Sequence, residues 1–242
     1  MISEQLQNRI VSATLIGALA GTASLGLVSK AEAATNPCPS VSELRASRSI
    51  SAACKALLLG KLNNSVYAEG NRVLEVATYQ KENGLHVDGS LGPITGSHIL
   101  HGDRLHAVPS PRPTRTEFLV DKRKQVAYDI VRGIVRHEIS VSTGTEQPYA
   151  DRSQIDGHLI TGVAHTPTGR WRVFRDESPT YRSALGAMPN ARFFYQGYAV
   201  HEDPTSVLGR GSHGCVRIDH GAMPLVINDL SIGKVAEVVE HL

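Results

Sequence analysis

The sequence predicts an α+β, multidomain chain: a small three-helix N-terminal bundle over residues 34–105, then a mainly β, sandwich-like domain over residues 116–242. Three observations carry this reading. Apolar residues between 57 and 80 recur at helical spacing. Residues 106–115 (HAVPSPRPTR) hold three prolines and no periodicity, which marks an extended linker. From Thr116 onward the pattern changes to alternation, the signature of strands.

The chain opens on an uncharged run, Ile10 to Val28, followed by Ala31-Glu32-Ala33, a small-x-small cleavage site. That order reads as a secretory signal peptide over residues 1–33, so the mature protein is expected outside the cytoplasm, with no membrane segment after cleavage. The run is long for a signal peptide, and retention as an anchor helix stays open, although its Gly, Ser and Thr content makes a poor span. Leu57, Leu58, Leu59 and Leu62 fit one helix; Val73, Val76, Ala77 and Gln80 fit a second, with Gly84 as its stop. Asp88-Gly89 is a turn, and Pro93 sits at a first helical position, opening a third helix. In the second domain Phe118 and Val120, then Val126, Tyr128 and Ile130, then Ile134, Ile139 and Val141 mark strands. Asp121–Lys124 and Arg132–Gly133 are the turns between them. Trp171–Phe174, Arg192–Tyr195 and Tyr198–Val200 are further strands, and 222–230 is the one helical stretch.

Composition excludes more than it names. The chain has 242 residues, 25 basic and 23 acidic, for a formal net charge of +2, with no basic stripe to suggest nucleic-acid binding. Removing residues 1–33 takes away Arg9 and Lys30 with Glu4 and Glu32, so the balance does not change. Three cysteines remain in an exported chain. Cys38 and Cys54 are close in sequence and form a plausible disulfide, which would stabilise by about 3 kcal/mol for a loop of this length; two unrelated buried thiols are the other reading. Cys215 stands apart, and a lone thiol in an oxidising compartment is a hazard unless it is used.

The chemistry concentrates between Tyr198 and Ile218. His201 is followed, after ten intervening residues, by Ser212-His213-Gly214-Cys215-Val216-Arg217-Ile218. A free thiol has a pKa of about 8.5, so thiol-based acyl transfer needs a base to take its proton, and His201 can serve. Gly214 lets the chain turn sharply, so that the Gly214 and Cys215 N–H groups can face a developing oxyanion. Spacing alone leaves two rivals open: an inert buried thiol, or zinc held by His201, His213 and Cys215.

Two resemblances add to this. Tyr79-Gln80, Gly84-Leu85, Asp88-Gly89 and Gly92-Pro93-x-Thr95 resemble the second half of a three-helix peptidoglycan-binding domain. Ser-His-Gly-Cys followed by an apolar residue and Arg, with a histidine upstream, resembles the L,D-transpeptidase (YkuD-like) catalytic domain. Ser142-Thr143-Gly144 and Thr166-Pro167-Thr168-Gly169 agree in order, and the similarity runs over residues 116–242. The resemblance implies that Cys215 is the nucleophile and His201 the base, with His213 and Gly214 shaping the oxyanion pocket and Ser212 and Arg217 contacting substrate. It further implies that the base is steered by the backbone carbonyl of the next residue, here Glu202, whose side chain would raise the basicity of His201. The implied substrate is a peptidoglycan tetrapeptide stem, cleaved between its third residue and D-Ala through a thioester. An amine then resolves the thioester to cross-link or anchor; water would give an L,D-carboxypeptidase. No cofactor or metal is implied, carbapenems are expected inhibitors, and a monomer in the cell wall or periplasm is expected. A zinc-dependent wall peptidase and a catalytically inactive wall-binding protein are the alternatives.

Overall fold

The computed structural model describes residues 36–63, 65–67, 70–102, 115–203 and 207–242. The leader assigned to 1–33, and all of the linker 106–115 except Arg115, lie outside the described residues. Among the described residues four helices precede the sheet, one more than the spacing predicts: α1 (Val41–Ala46), α2 (Ala52–Asn63), α3 (Arg72–Glu82) and α4 (Pro93–His101). The extra helix is held by its cap. Ser40 Oγ accepts the Glu43 N–H at 3.3 Å, and the Glu43 carboxylate accepts the Ser40 N–H at 2.9 Å, which together satisfy two otherwise orphaned donors. Pro93 occupies the first turn of α4, where its missing N–H costs nothing, and Gly102 closes that helix at φ +78°.

Leu44, Leu58, Leu62, Tyr67, Val76, Tyr79 and Ile99 pack together inside the helices, beside the disulfide between Cys38 and Cys54. Gln80 organises the Asp88-Gly89 turn. Its buried amide Nε2 donates to Asp88 Oδ1 at 2.8 Å, to Ser90 O and to Thr95 Oγ1, while its Oε1 accepts the Asp88 and Gly89 N–H groups. The four sequence pairs that drew attention in this segment are thus largely one hydrogen-bonded unit.

The rest of the chain forms β1 (Glu117–Asp121), β2 (Val126–Val131), β3 (Ile134–Ser142), β4 (Pro148–Arg152), β5 (Leu159–Val163), β6 (Gly169–Arg172), β7 (Arg175–Ser183), β8 (Gly186–Tyr195), β9 (Tyr198–Glu202), β10 (Val216–Ile218), α5 (Met223–Val226) and β11 (Val235–Val239). Nine strands make one sheet in the order β6-β11-β1-β2-β3-β10-β9-β8-β7, and β4–β5 is a separate two-stranded ribbon. The expected sandwich is therefore one continuous sheet, curled so that both halves face a common core. Phe118, Val120, Ile139 and Val238 from one half meet Phe194, Val200, Val216 and Ile218 from the other, with Met223 and Val226 of α5 among them. Arg132 and Gly133 both have positive φ, 51° and 78°, the type I′ geometry that matches the twist of the β2–β3 hairpin.

Residues 36–242 form one compact unit, with α3 lying on β2 and β3. Lys81 of α3 is the tie. Its buried ammonium donates to Gln125 O at 2.9 Å, Ser140 Oγ at 2.6 Å and Val207 O at 2.9 Å, linking the helices to the segment that precedes Ser212.

Candidate active site

The site is built where two strands run parallel. In β9 and β10 Val200 pairs with Val216, and His201 with Arg217, so the loop before β10 is delivered beside His201. Two separate segments, and the loop's own Ser212, lock that loop. Thr143 O accepts the N–H groups of Gly211 and Ser212, both at 3.1 Å. Thr166 Oγ1 donates to Gly214 O at 2.7 Å and accepts the Gly144 N–H at 2.8 Å. Ser212 Oγ accepts the Gly214 N–H at 2.9 Å and donates to Cys215 O at 2.5 Å. The Ser142-Thr143-Gly144, Thr166-Pro167-Thr168-Gly169 and Ser-His-Gly-Cys stretches, scattered in sequence, meet here.

Gly214 is required twice over. Its φ is +148°, and a Cβ would lie 2.7 Å from His165 O and 2.7 Å from Tyr198 Cε1. Two sequence expectations change at this loop. The Gly214 N–H, expected to face an oxyanion, is engaged by Ser212. The Ser212 side chain, expected on substrate, has its hydroxyl occupied within the loop because the tight turn needs both its donor and its acceptor.

His201 is buried, and its Nδ1–H donates to Glu202 O at 2.8 Å. A carbonyl only accepts, so the proton sits on Nδ1 and Nε2 carries the lone pair. Burial pushes the His201 pKa below its ordinary value; the Glu202 carbonyl opposes this and Arg217 adds to it. Glu202 acts on this histidine in the direction the sequence suggests, but the net shift is the opposite one. The Glu202 carboxylate is bound to Asn190 Nδ2 at 2.6 Å and His220 Nδ1 at 2.6 Å, and desolvation of the imidazole outweighs it.

Cys215 is the free cysteine of the described residues, half-buried against Met188, Ala191, Phe193 and Ala199. Burial raises its thiol pKa, opposed by the Ala199 backbone and the Arg217 charge. At neutral pH the pair is therefore thiol and neutral imidazole. His201 and Cys215 line one cavity of about 410 Å³, together with Ser212, His213, Gly214 and Arg217. All six sequence-selected residues are brought together.

The cavity also has walls that the sequence did not disclose. The β4–β5 ribbon contributes Tyr149, Ile160 and Val163, and strands β7 and β8 contribute Arg175, Tyr181 and Phe193. His213 is held to the ribbon: Nε2 meets Asp151 Oδ2 at 2.6 Å, and the ring packs edge-on against Tyr149, centroids 4.7 Å apart. Arg217 is paired with Asp203 at 3.1 Å. Asp203 adjoins the His201-Glu202 pair and was visible as a charge; Asp151, Tyr149 and Arg175 had no local signal. Trp171 is half-buried against the main core and stacks on Tyr195 at 4.9 Å.

Residues 115–238 match the family model described as the L,D-transpeptidase catalytic domain, just over half of the chain. Among solved structures, the L,D-transpeptidase from Xylanimonas cellulosilytica is 30% identical, covering 69% of this chain and 79% of that one, with a TM-score of 0.57. An L,D-transpeptidase from Stackebrandtia nassauensis is 20% identical over 69% of this chain and 77% of its own, with a TM-score of 0.45. No curated protein matches significantly. A loop, a buried histidine and a free thiol assembled in this way lie within the matched residues, and the chain belongs to the L,D-transpeptidase catalytic domain family.

Proposed function

We propose that the protein is a cysteine-dependent L,D-transpeptidase acting on peptidoglycan tetrapeptide stems. The observation that carries this is the sharing of one cavity by the Cys215 thiol and a buried His201 whose Nδ1 proton is pinned on Glu202 O, leaving Nε2 to accept a proton. Because both groups are neutral at rest, proton transfer accompanies attack. His201 Nε2 takes the thiol proton as Cys215 Sγ bonds to the carbonyl carbon of the third stem residue. The oxyanion forms beside the Cys215 N–H, which the locked loop holds in place. Collapse breaks the amide bond, His201 returns the proton to the departing D-Ala nitrogen, and a thioester remains. An acceptor amine then attacks the thioester, His201 takes its proton, and the thiol is regenerated with a new amide; water as acceptor yields the free acid.

His213, held by Asp151 and Tyr149, shapes the mouth of the cavity, and Arg217 orients the donor. The N-terminal helices keep the enzyme on its polymeric substrate, raising effective concentration as a tether does, in the cell wall or periplasm of an exported protein. A β-lactam is a strained amide, so the same attack on a carbapenem leaves a thioester on Cys215. The test is incubation of the protein with purified disaccharide-tetrapeptide and mass spectrometry of the products. Release of D-Ala with formation of dimers is expected; release without dimers identifies a carboxypeptidase, and no release rejects the reading.

A further inference from the structure

One wall of the cavity carries a cation that the acyl-transfer scheme leaves unused. The charged or titratable side chains lining the cavity, aside from Cys215 and its tyrosines, are Arg175, His201, His213 and Arg217, with no Asp or Glu among them. Arg217 is paired with Asp203, and His213 with Asp151. Arg175 has only Glu177 Oε1, 4.0 Å from its Nε, and that Nε makes no hydrogen bond among the described residues. Its guanidinium sits over the Phe193 ring, 3.8 Å from the centroid, with the Tyr181 ring at 5.1 Å. Aromatic surfaces hold the group in place without satisfying its charge.

The sheet register sets its distance from the thiol. Arg175 pairs with Phe193, Phe193 with Ala199, and the pairing of Val216 with Val200 places Cys215 opposite Ala199. Cross-strand partners share a face, and Phe193, Ala199 and Cys215 do pack in one cluster. Three strand spacings of ~4.8 Å put the Arg175 backbone roughly 14 Å from that of Cys215. A guanidinium reaching about 6 Å from its Cα leaves about 8 Å to be spanned from the reacting centre. In a stem peptide, the distal carboxyl of a diaminopimelate lies six bonds from the scissile carbonyl carbon and the α-carboxyl of the D-Glu lies seven, each about 7–9 Å away when extended.

We propose that Arg175 is a binding residue for a carboxylate of the donor stem, so that the cavity selects stems in which this carboxyl is free over stems in which it is amidated. This rests on the L,D-transpeptidase reading for the identity of the ligand, and its test does not depend on turnover.

Calorimetric titration of Cys215→Ala, which cannot react, uses three synthetic tetrapeptides: one with both carboxyls free, one with D-isoglutamine, and one with an amidated distal carboxyl on diaminopimelate. Amidation at one of the two positions should weaken binding about tenfold, the usual scale of a charge-assisted hydrogen bond, and the position identifies the carboxyl. Arg175→Gln in the same background should weaken the free peptide by a similar factor and abolish the difference. Arg175→Lys, which keeps the charge and guards against misfolding of the Gln variant, should retain part of it. Equal affinity for all three peptides, no binding of any, or a preference that survives Arg175→Gln would overturn the inference. Carboxylate selection without D-Ala release by the parent would instead strike the acyl-transfer reading alone.

Discussion

Replacing Thr166 by valine removes a hydroxyl that serves two loops at once and leaves the side-chain shape almost unchanged. In the structure Thr166 is fully buried; its Oγ1 accepts the Gly144 N–H at 2.8 Å and donates to Gly214 O at 2.7 Å. Valine leaves a buried donor and a buried acceptor unpaired, at about 1–3 kcal/mol each, so about 2–6 kcal/mol together. For a domain of this size, at ~2–4 °C per kcal/mol, the melting temperature should fall by roughly 4–24 °C. Function should suffer separately, because the freed carbonyl belongs to the residue before the nucleophile. A displacement of about 1 Å there should cost on the order of a hundredfold in turnover. The assays are thermal unfolding by circular dichroism and D-Ala release at a temperature where the variant is folded. Thr166→Ser keeps the hydroxyl and loses one methyl, so it should cost about 1 kcal/mol and stay active. A valine variant as stable and as active as the parent would refute the account of how the Thr143 and Thr166 segments hold this loop.

Two further predictions follow from the same geometry. His201 acts as base only when neutral, and burial holds its pKa below the ordinary histidine value of about 6.5. The neutral form therefore persists to lower pH, and the acid limb of kcat/KM should have its midpoint below pH 6.5; a midpoint at or above that value contradicts the environment described. Reduction of the Cys38–Cys54 bridge, which spans 16 positions, should destabilise the helices by about 3 kcal/mol without changing acyl transfer on a small soluble stem. Thiol titration of the unreduced protein should find one free thiol, and three would remove the basis for this expectation.

What could be read in advance followed from how local each signal is. Strands β1, β2 and β3 alternate and are joined by turns with a clear residue signature, so they were legible. Strand β7 (Arg175–Ser183) was not: it is the last strand of the sheet, mostly exposed, and its composition is polar because little of it needs burial. The β4–β5 ribbon lies outside the main sheet and escaped for the same reason. Strand β10 has three residues, and α1 has six with one buried side chain, too short for periodicity to show. Within the site, Cys215 and His201 were found because the chemistry demands a thiol and a base near one another. Asp151 and Arg175 were missed because only the folded chain brings Asp151 to His213 and Arg175 to the cavity wall. Glu202 was seen as a charge, but not that Asn190 and His220 bind it, nor that burial of His201 would dominate.

The central claim is that Cys215 is a nucleophile served by His201, with no metal in the reaction. Intact-protein mass spectrometry of the parent and of Cys215→Ala, each incubated with a carbapenem and with or without a chelator, tests it most directly. The parent should gain one intact carbapenem mass, chelator present or absent, and lose D-Ala release, while Cys215→Ala should gain nothing. An adduct on both proteins, an adduct on neither, or loss of activity with chelator would contradict the account.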